Sequence, residues 1–470
     1  MWTGIILSLR QELAITVIIF LLLFIKIGAR EYRTESLLRL VNALLAVNLV
    51  LGFFPVSDSV LFSGMFHTNG MIVLEKNILN LGTLIVSLLA YDWLKDHPQA
   101  LEFYVLLLAT LTGFFFMISS GHLLLFYLGL ELSTIPLTAL SSFDLEKRRS
   151  SEAGMKFIIS SAFSSALLLF GISLLYGATG TLGFDAIARH LDGSAFQLFA
   201  FILILSGFAF KISVVPFHLW TADVYEGSPV SVTAYLSVIS KGAVFFIFVQ
   251  TLYTVFRPMA DSWYRIVVLL SVLTMLTGNL FALRQSNFKR LLAFSSIAQS
   301  GFILAGITGS SRSGDASVIY YILIYVFSNL GAFGVVSLVS AATGKEEIDD
   351  YKGLYSTNPL LSWVMAISLF SLAGIPPTAG FFGKFFLLMA GAGKGNYTFI
   401  VIAALNMVIS LYYYLRVIKV IFMETQPQPI ARLKIPLMPN IAFILCLVGT
   451  LVTGLIGWVY DYIYSLSIGL

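Results

Sequence analysis

Four ionisable side chains stand where a polypeptide can least accommodate charge. Glu131 lies in LLLFYLGLELSTIPL, Lys211 in FKISVVPFHLW, Lys241 in YLSVISKGAVFF and Lys384 in GIPPTAGFFGKF. An ionised group at the centre of a membrane helix costs roughly 2.5 to 3.5 kcal/mol on insertion scales, so each central one needs a reason. A lysine can escape this cost by snorkelling, its stem carrying the amine to the headgroups. For Lys241, with about ten apolar-dominated residues on each side, the stem is too short. The chemistry such groups offer is proton carriage. Loss of water disfavours the charged amine and lets it release a proton, whereas a neighbouring carboxylate holds the proton on. At an effective dielectric of about 20, a carboxylate about 4 Å away contributes roughly 4 kcal/mol. Moving one charge against 100 mV takes only about 2.3 kcal/mol, so making and breaking a Glu131 to Lys211 contact is a sufficient switch. Lys241 is then expected to relay the proton sideways and Lys384 to face the exit.

Other residues are expected at the margins of this track. Glu152 and Lys156 are four apart and can pair on one helix face; Lys156 is an accessory candidate, with snorkelling as its alternative. His218, just beyond Pro216, is a second accessory candidate because histidine titrates near neutrality, and capping a broken helix is the alternative. Ser213, Ser237, Ser240, Ser328 and Asn329 can line a path with water or simply bond a neighbouring helix. Lys26, Glu75 and Lys76 lie near span ends and read as interfacial anchors. Lys289 and Arg290 read as products of the positive-inside rule. Tyr412, Tyr413 and Tyr414 fit either a belt or the interior.

These residues need a membrane scaffold. The chain has 470 residues, 58% hydrophobic and only 11% charged, against roughly 25% charged in a soluble domain. Its formal charge of +4 is small and its basic residues are scattered in short loops, which argues against a nucleic-acid partner. The lone cysteine, Cys446, excludes an internal disulfide and a cysteine-based metal site. No phosphate-binding glycine loop and no histidine pair at metal spacing is present, so nucleotide, iron-sulfur and zinc chemistry belongs elsewhere. The fold class is therefore all-α and polytopic, with about fourteen spans by the length criterion. They fall near 10–28, 37–54, 70–91, 102–119, 122–142, 153–177 and 196–220, then 228–255, 263–283, 288–308, 316–342, 358–390, 396–423 and 436–464. The first is read as a permanent span because no small-residue cleavage site follows it.

Basic residues mark one face. Arg30, Arg33, Lys95, Lys147, Arg148, Arg149, Arg284, Lys289, Arg290, Lys345, Lys352, Arg432 and Lys434 fall in alternate loops, against Arg189, Arg257, Arg265, Arg312 and Lys394 in the others. Both termini are thus expected away from the cytoplasm. The chain reads as a single membrane domain over 1–470: three helices in 1–100, a five-helix set in 101–256, a second in 262–424 and a last helix in 435–470. An odd number of spans makes the second set enter from the opposite face, as inverted repeats do. Spans seven and twelve correspond in this scheme. Each pairs proline with a lysine, Pro216 with Lys211 and Pro376–Pro377 with Lys384, and is expected to be broken there.

The segments FYLGLELSTIPL, EAGMKFIISSAFSSALLLFG, FKISVVPFHLWTADVYEGSP, SVISKGAVF, NFKRLLAFSSIAQSGF, SLAGIPPTAGFFGKF and SLYYYLRVIK occur in matching order in a known family. The chain resembles the antiporter-like subunits of respiratory complex I, which are related to subunits of multi-subunit sodium/proton antiporters. It looks like the N type: it lacks the long lateral helix of the L type, and Lys384 stands where the M type has glutamate. The resemblance implies proton translocation through Glu131, Lys211, Lys241 and Lys384, with Lys156 as accessory. It implies partners in the lipid bilayer, the antiporter-like M type and the small K, J, A and H types. It also implies that NADH, FMN, iron-sulfur clusters and quinone are handled by other subunits, with no cofactor on this chain. One departure is Gln299 in SSIAQSGF, where many relatives carry histidine; it argues against a histidine-based step in span ten. A cation/proton antiporter subunit would use the same lysines without a redox partner, and a purely structural subunit would tolerate their loss.

Overall fold

The computed structural model describes residues 2–28 and 33–467, so Arg30 of the first basic loop lies outside the described residues. Among these, twelve continuous helices are long and apolar enough to cross a membrane, from Arg10–Gly28 to Leu437–Leu455. Two further spans are interrupted: Ala195–Lys211 continues as Trp220–Gly227, and Pro359–Ala373 as Ala379–Ala392. Twelve and two make the expected fourteen. The last span is shorter than its apolar run suggests, because the chain turns at Ile456 and Gly457 into a separate helix, Trp458–Leu466. One non-helical element interrupts the pattern, a two-stranded ribbon of Ser59–Leu61 and Phe66–Thr68 before span three.

Local sequence sets the helix ends. Asn69, Ser194, Asn287, Ser310 and Asn396 each accept a backbone N–H at a helix start, satisfying donors that the first turn leaves free. The two longest helices, Arg148–Thr179 and Ser311–Thr343, both stop at a left-handed glycine, Gly180 and Gly344.

The two five-helix sets share finer features. In the first, His122 at the start of span five bridges to Gly183, three residues past Gly180; in the second, Asn287 bridges to Glu347, three residues past Gly344. Gly113 and Gly278 sit nine residues before these bridging residues, and each lets two helices meet at backbone distance. A Cβ on Gly113 would lie 2.5 Å from the Ser133 nitrogen, and one on Gly278 2.4 Å from the Ala298 nitrogen, so only small residues fit.

Burial separates the core from the rim. The membrane-crossing stretches of spans three, eight, ten and eleven are 89%, 100%, 94% and 94% buried, whereas spans one and two are 28% and 33% buried. Apolar side chains therefore face outward from the rim spans, as a lipid or partner-subunit boundary requires.

Candidate functional site

Lys211, Lys241 and Lys384 are all buried, at 7%, 3% and 0% exposure. Their amines point into protein, so snorkelling is excluded. Lys211 and Lys241 sit at irregular stretches of backbone, and Lys384 reaches one, the break of span twelve, with its amine. Lys211 closes the first half of span seven, Lys241 follows a π-helical turn at Leu236–Ser240, and Lys384 lies in the second half of span twelve.

The two breaks have one design. Val214 N–H donates to Ala209 C=O at 2.8 Å, and Ile375 N–H to Phe370 C=O at 3.0 Å; both widen the helical turn just before the prolines. The first break is pinned by Thr221 donating to Ser213 at 2.7 Å and by the Trp220 indole donating to the Phe210 carbonyl at 3.1 Å. In the second, Ser371 accepts from Ser328 at 2.6 Å and from Gly380 N–H at 3.1 Å.

The lysine partners are neutral. The Lys211 amine donates to the Thr134 hydroxyl at 2.5 Å, between the rings of Phe157 and Phe210. Thr134 lies one turn beyond Glu131, and the Glu131 carboxylate acts on Lys211 through space without a direct ion pair. The expected Glu131 to Lys211 contact is not made; Lys211 is bonded to Thr134, whose hydroxyl donates to the Leu130 carbonyl at 2.6 Å. Glu131 is half-buried, and one carboxylate oxygen has no hydrogen-bond partner.

Further along, the Lys241 amine donates to Ser296 at 2.8 Å and lies over the Tyr225 ring at 5.6 Å. One turn on from Ser296, Gln299 donates to Tyr414 at 3.1 Å and to the Leu372 carbonyl at 3.0 Å, and accepts from Tyr321 at 2.6 Å. The Lys384 amine donates to that same Leu372 carbonyl at 2.7 Å. Gln299 therefore joins the surroundings of Lys241 to Lys384. The sequence pointed to Gln299 only as a departure from a pattern; Thr134, Ser296 and the Leu372 carbonyl carried no signal, since a hydroxyl or a carbonyl in a membrane helix is ordinary.

The remaining candidates divide. Ser237 accepts from Asn329 at 2.6 Å and lies 3.3 Å from the Tyr325 hydroxyl, beside Lys241. Ser213 and Ser328 fasten the breaks, as above. His218 lies within the first break, half-buried, with Nδ1 unpartnered. Tyr413 and Tyr414 are interior, whereas Tyr412 is 65% exposed.

Lys156 is half-exposed and tied into ion pairs. It pairs with Glu152 at 2.7 Å, as the spacing predicted, and with Asp223 at 2.7 Å. Asp223 and Glu226 also bind Arg290, at 3.0 and 2.8 Å, and Lys289 binds Glu346 at 3.0 Å. Lys289 and Arg290 are thus tied into an ion-pair network, which the positive-inside reading did not foresee. Beside it opens a cavity of about 530 Å³, lined by Asp144, Lys147, Glu226, Lys289 and Glu346, where the basic loops converge. The anchor reading fails for Glu75 and Lys76: they are 5% and 1% exposed, and Lys76 is paired with Glu12 at 2.5 Å inside the bundle. Only Lys26 is at the rim, paired with Glu102.

Fourteen spans, two matched breaks and a buried row of amines define an antiporter-like ion-translocating membrane subunit. The chain belongs to the family described as NADH:quinone oxidoreductase/Mrp antiporter, transmembrane, which matches residues 120–410. It is 45% identical to NADH-quinone oxidoreductase subunit N of Phocaeicola vulgatus, over 98% of this chain and 99% of that one. It is 37% identical to NAD(P)H-quinone oxidoreductase subunit 2 of Synechocystis, over 89% and 82%. Among solved structures, a chain of respiratory complex I from Thermus thermophilus with bound aureothin superposes with a TM-score of 0.79 at 29% identity, covering 95% of this chain and 98% of that one. A chain of the Mrp complex from a Dietzia species shares the fold, with a TM-score of 0.86 at 21% identity, over 98% and 97%.

Proposed function

We propose that this chain is the N-type proton-translocating membrane subunit of an NADH:quinone oxidoreductase in a bacterial inner membrane, and that Glu131, Lys211, Lys241 and Lys384 carry its protons. The other membrane subunits, the M type and the small K, J, A and H types, are its partners. NADH, flavin, iron-sulfur and quinone chemistry resides on partner subunits, and the energy reaches this chain through them.

One observation carries the site reading. The chain contains buried lysines of two kinds. Lys76 and Lys289 are buried and each is bound to a carboxylate, Glu12 and Glu346. Lys211, Lys241 and Lys384 are buried against neutral acceptors, with no ion pair among the described residues. A buried pair holds its charges in place, because removing either one strands the other. An amine bonded to a hydroxyl or carbonyl has no such pair to break when its proton leaves. These three amines can therefore change charge, while Lys76 and Lys289 serve structure.

Glu131 supplies the variable field. A change in the distance between its carboxylate and Lys211 changes the attraction between them, since Coulomb energy varies inversely with distance. Lys156 and the Asp223 network stand at the mouth, and His218 serves as an accessory group at the break.

The test is vectorial proton movement by the assembled complex in sealed vesicles, driven by NADH and quinone. Proton uptake that depends on NADH and is lost with Lys211→Ala supports the proposal. Uptake driven by a sodium gradient with NADH absent would make the chain a cation/proton antiporter subunit instead.

A further inference from the structure

We infer that the cavity between the start of span twelve and the loop that enters span fourteen is a binding site for an anionic phospholipid, with Arg432 and Lys434 holding its phosphate. The site lies apart from the lysine track and stands without it.

The lining sets the charge of the ligand. The cavity has a volume of about 620 Å³, within the roughly 300 to 1,000 Å³ of ordinary ligand sites. Arg432 and Lys434 line it, and no carboxylate does. Neighbouring basic residues on this face are neutralised: Lys352 pairs with Asp349 at 3.1 Å and with Glu424 at 3.7 Å, and Lys419 pairs with Glu424 at 3.3 Å. Arg432 and Lys434 are exposed, with no ion pair among the described residues. A guanidinium and an ammonium two residues apart attract phosphate oxygens, and a zwitterionic headgroup would bring its own ammonium against them. The loop that presents them is fixed. Asn358, only 6% exposed, donates to the Ala431 carbonyl at 3.1 Å and accepts from the Leu433 N–H at 2.8 Å. These bonds hold the backbone on both sides of Arg432, so less order must be gained on binding.

The depth is that of a headgroup. Tyr355, Trp363 and Phe422 form one aromatic cluster at this end of spans twelve and thirteen, with ring centroids 4.7 to 6.4 Å apart. Trp and Tyr collect where headgroups meet hydrocarbon. Trp363 is one helical turn past Pro359, which lines the cavity. Deeper in the membrane, Leu437, Ile441 and Ile444 follow one face of span fourteen and are exposed. Acyl chains can lie along that strip while the phosphate is held above it. Unpaired positive charge over an exposed apolar strip is complementary to an amphiphile, whereas a soluble anion would leave the strip uncovered. The basic loops lie on the same face, and anionic lipid gathers beside such loops.

Photolabelling tests the site. The assembled complex is placed in phosphatidylcholine vesicles containing a minor fraction of phosphatidylglycerol with a diazirine in its acyl chain, and labelled peptides are mapped by mass spectrometry. Label is expected on spans twelve and fourteen beside the cavity, displaced by unlabelled phosphatidylglycerol and not by inorganic phosphate. A diazirine on phosphatidylcholine should label these peptides no more than the exposed face of span six. Arg432→Gln and Lys434→Gln should each lower the phosphatidylglycerol label about fivefold, the worth of one basic residue at an anionic surface. Label on span six should stay unchanged in both and so report a folded chain, and Arg432→Lys should keep the label. Raised salt should weaken the label in the unaltered chain, where folding is not in question. Equal labelling by the two lipids, glutamine variants that label normally, or a label indifferent to salt overturns the proposal. Displacement by inorganic phosphate makes the cavity a soluble-anion site, and label on span six with none beside the cavity gives the cavity to a partner subunit; either result also overturns it.

Discussion

The two five-helix sets share a scaffold and differ in charge. Aligned on their bridging residues, His122 and Asn287, Glu131 of the first set corresponds to Ser296 of the second and Thr134 to Gln299. Aligned on their breaks, Lys211 corresponds to Leu372, whose carbonyl accepts the Lys384 amine. The first set thus surrounds its lysine with a hydroxyl and a nearby carboxylate, and the second surrounds Lys384 with amide, phenol and carbonyl groups. Among the described residues, only the first places a carboxylate, Glu131, near one of the three buried lysines that have neutral acceptors. The second holds Lys384 among neutral groups, and Lys241 of the first set, bonded to Ser296 of the second, joins the two.

This contrast can be broken by substitution. The largest effect is expected from Lys211→Ala or Lys241→Ala, which removes a proton carrier. A positioned acid or base typically contributes 10² or more, so NADH-driven acidification followed with a trapped pH dye should fall about 100-fold. A smaller loss is expected from Glu131→Gln, which keeps the shape and removes the field. About tenfold, or about 1.4 kcal/mol, is expected in the same assay. Ser296→Glu should sharpen the comparison, because it gives Lys241 the counter-charge it lacks and pins the proton; pumping as slow as in Glu131→Gln is expected, and normal pumping would remove the distinction between the sets.

Next comes Gln299→Leu, which unlinks Tyr321, Tyr414 and the Leu372 carbonyl. A net hydrogen bond is worth about 0.5 to 1.5 kcal/mol, so a loss of about three- to tenfold is expected, with Lys211 chemistry unaltered. The smallest effect belongs to the mouth. The Lys156 and Asp223 side chains are 43% and 40% exposed, so their coupling in a double-mutant cycle on pumping rate should stay below about 1 kcal/mol and shrink as salt is raised.

Much of the scaffold was legible along the chain. Apolar length gave the span number, proline beside lysine located both breaks, and the Glu152 to Lys156 spacing anticipated a real ion pair. Legibility failed wherever a partner came from a distant segment. Glu75 and Lys76 looked like anchors because their position in span three is terminal, but both are buried and Glu12 arrives from span one to pair with Lys76. Lys289 looked like a topogenic charge until Glu346 met it. Thr134 and Ser296 are two hydroxyls among many.

The amino-acid sequence by itself determined that the chain lives in a membrane, how many times it crosses, where its helices break and which charges are too central to be accidental. Hydrocarbon thickness, backbone hydrogen bonding and the cost of charge act on each segment separately, so they can be read locally. Tertiary structure alone decided which buried lysines are neutralised and which are left with neutral acceptors. Electrostatic energy depends on distances between segments, and only packing brings Glu12 to Lys76 while leaving Lys241 with Ser296.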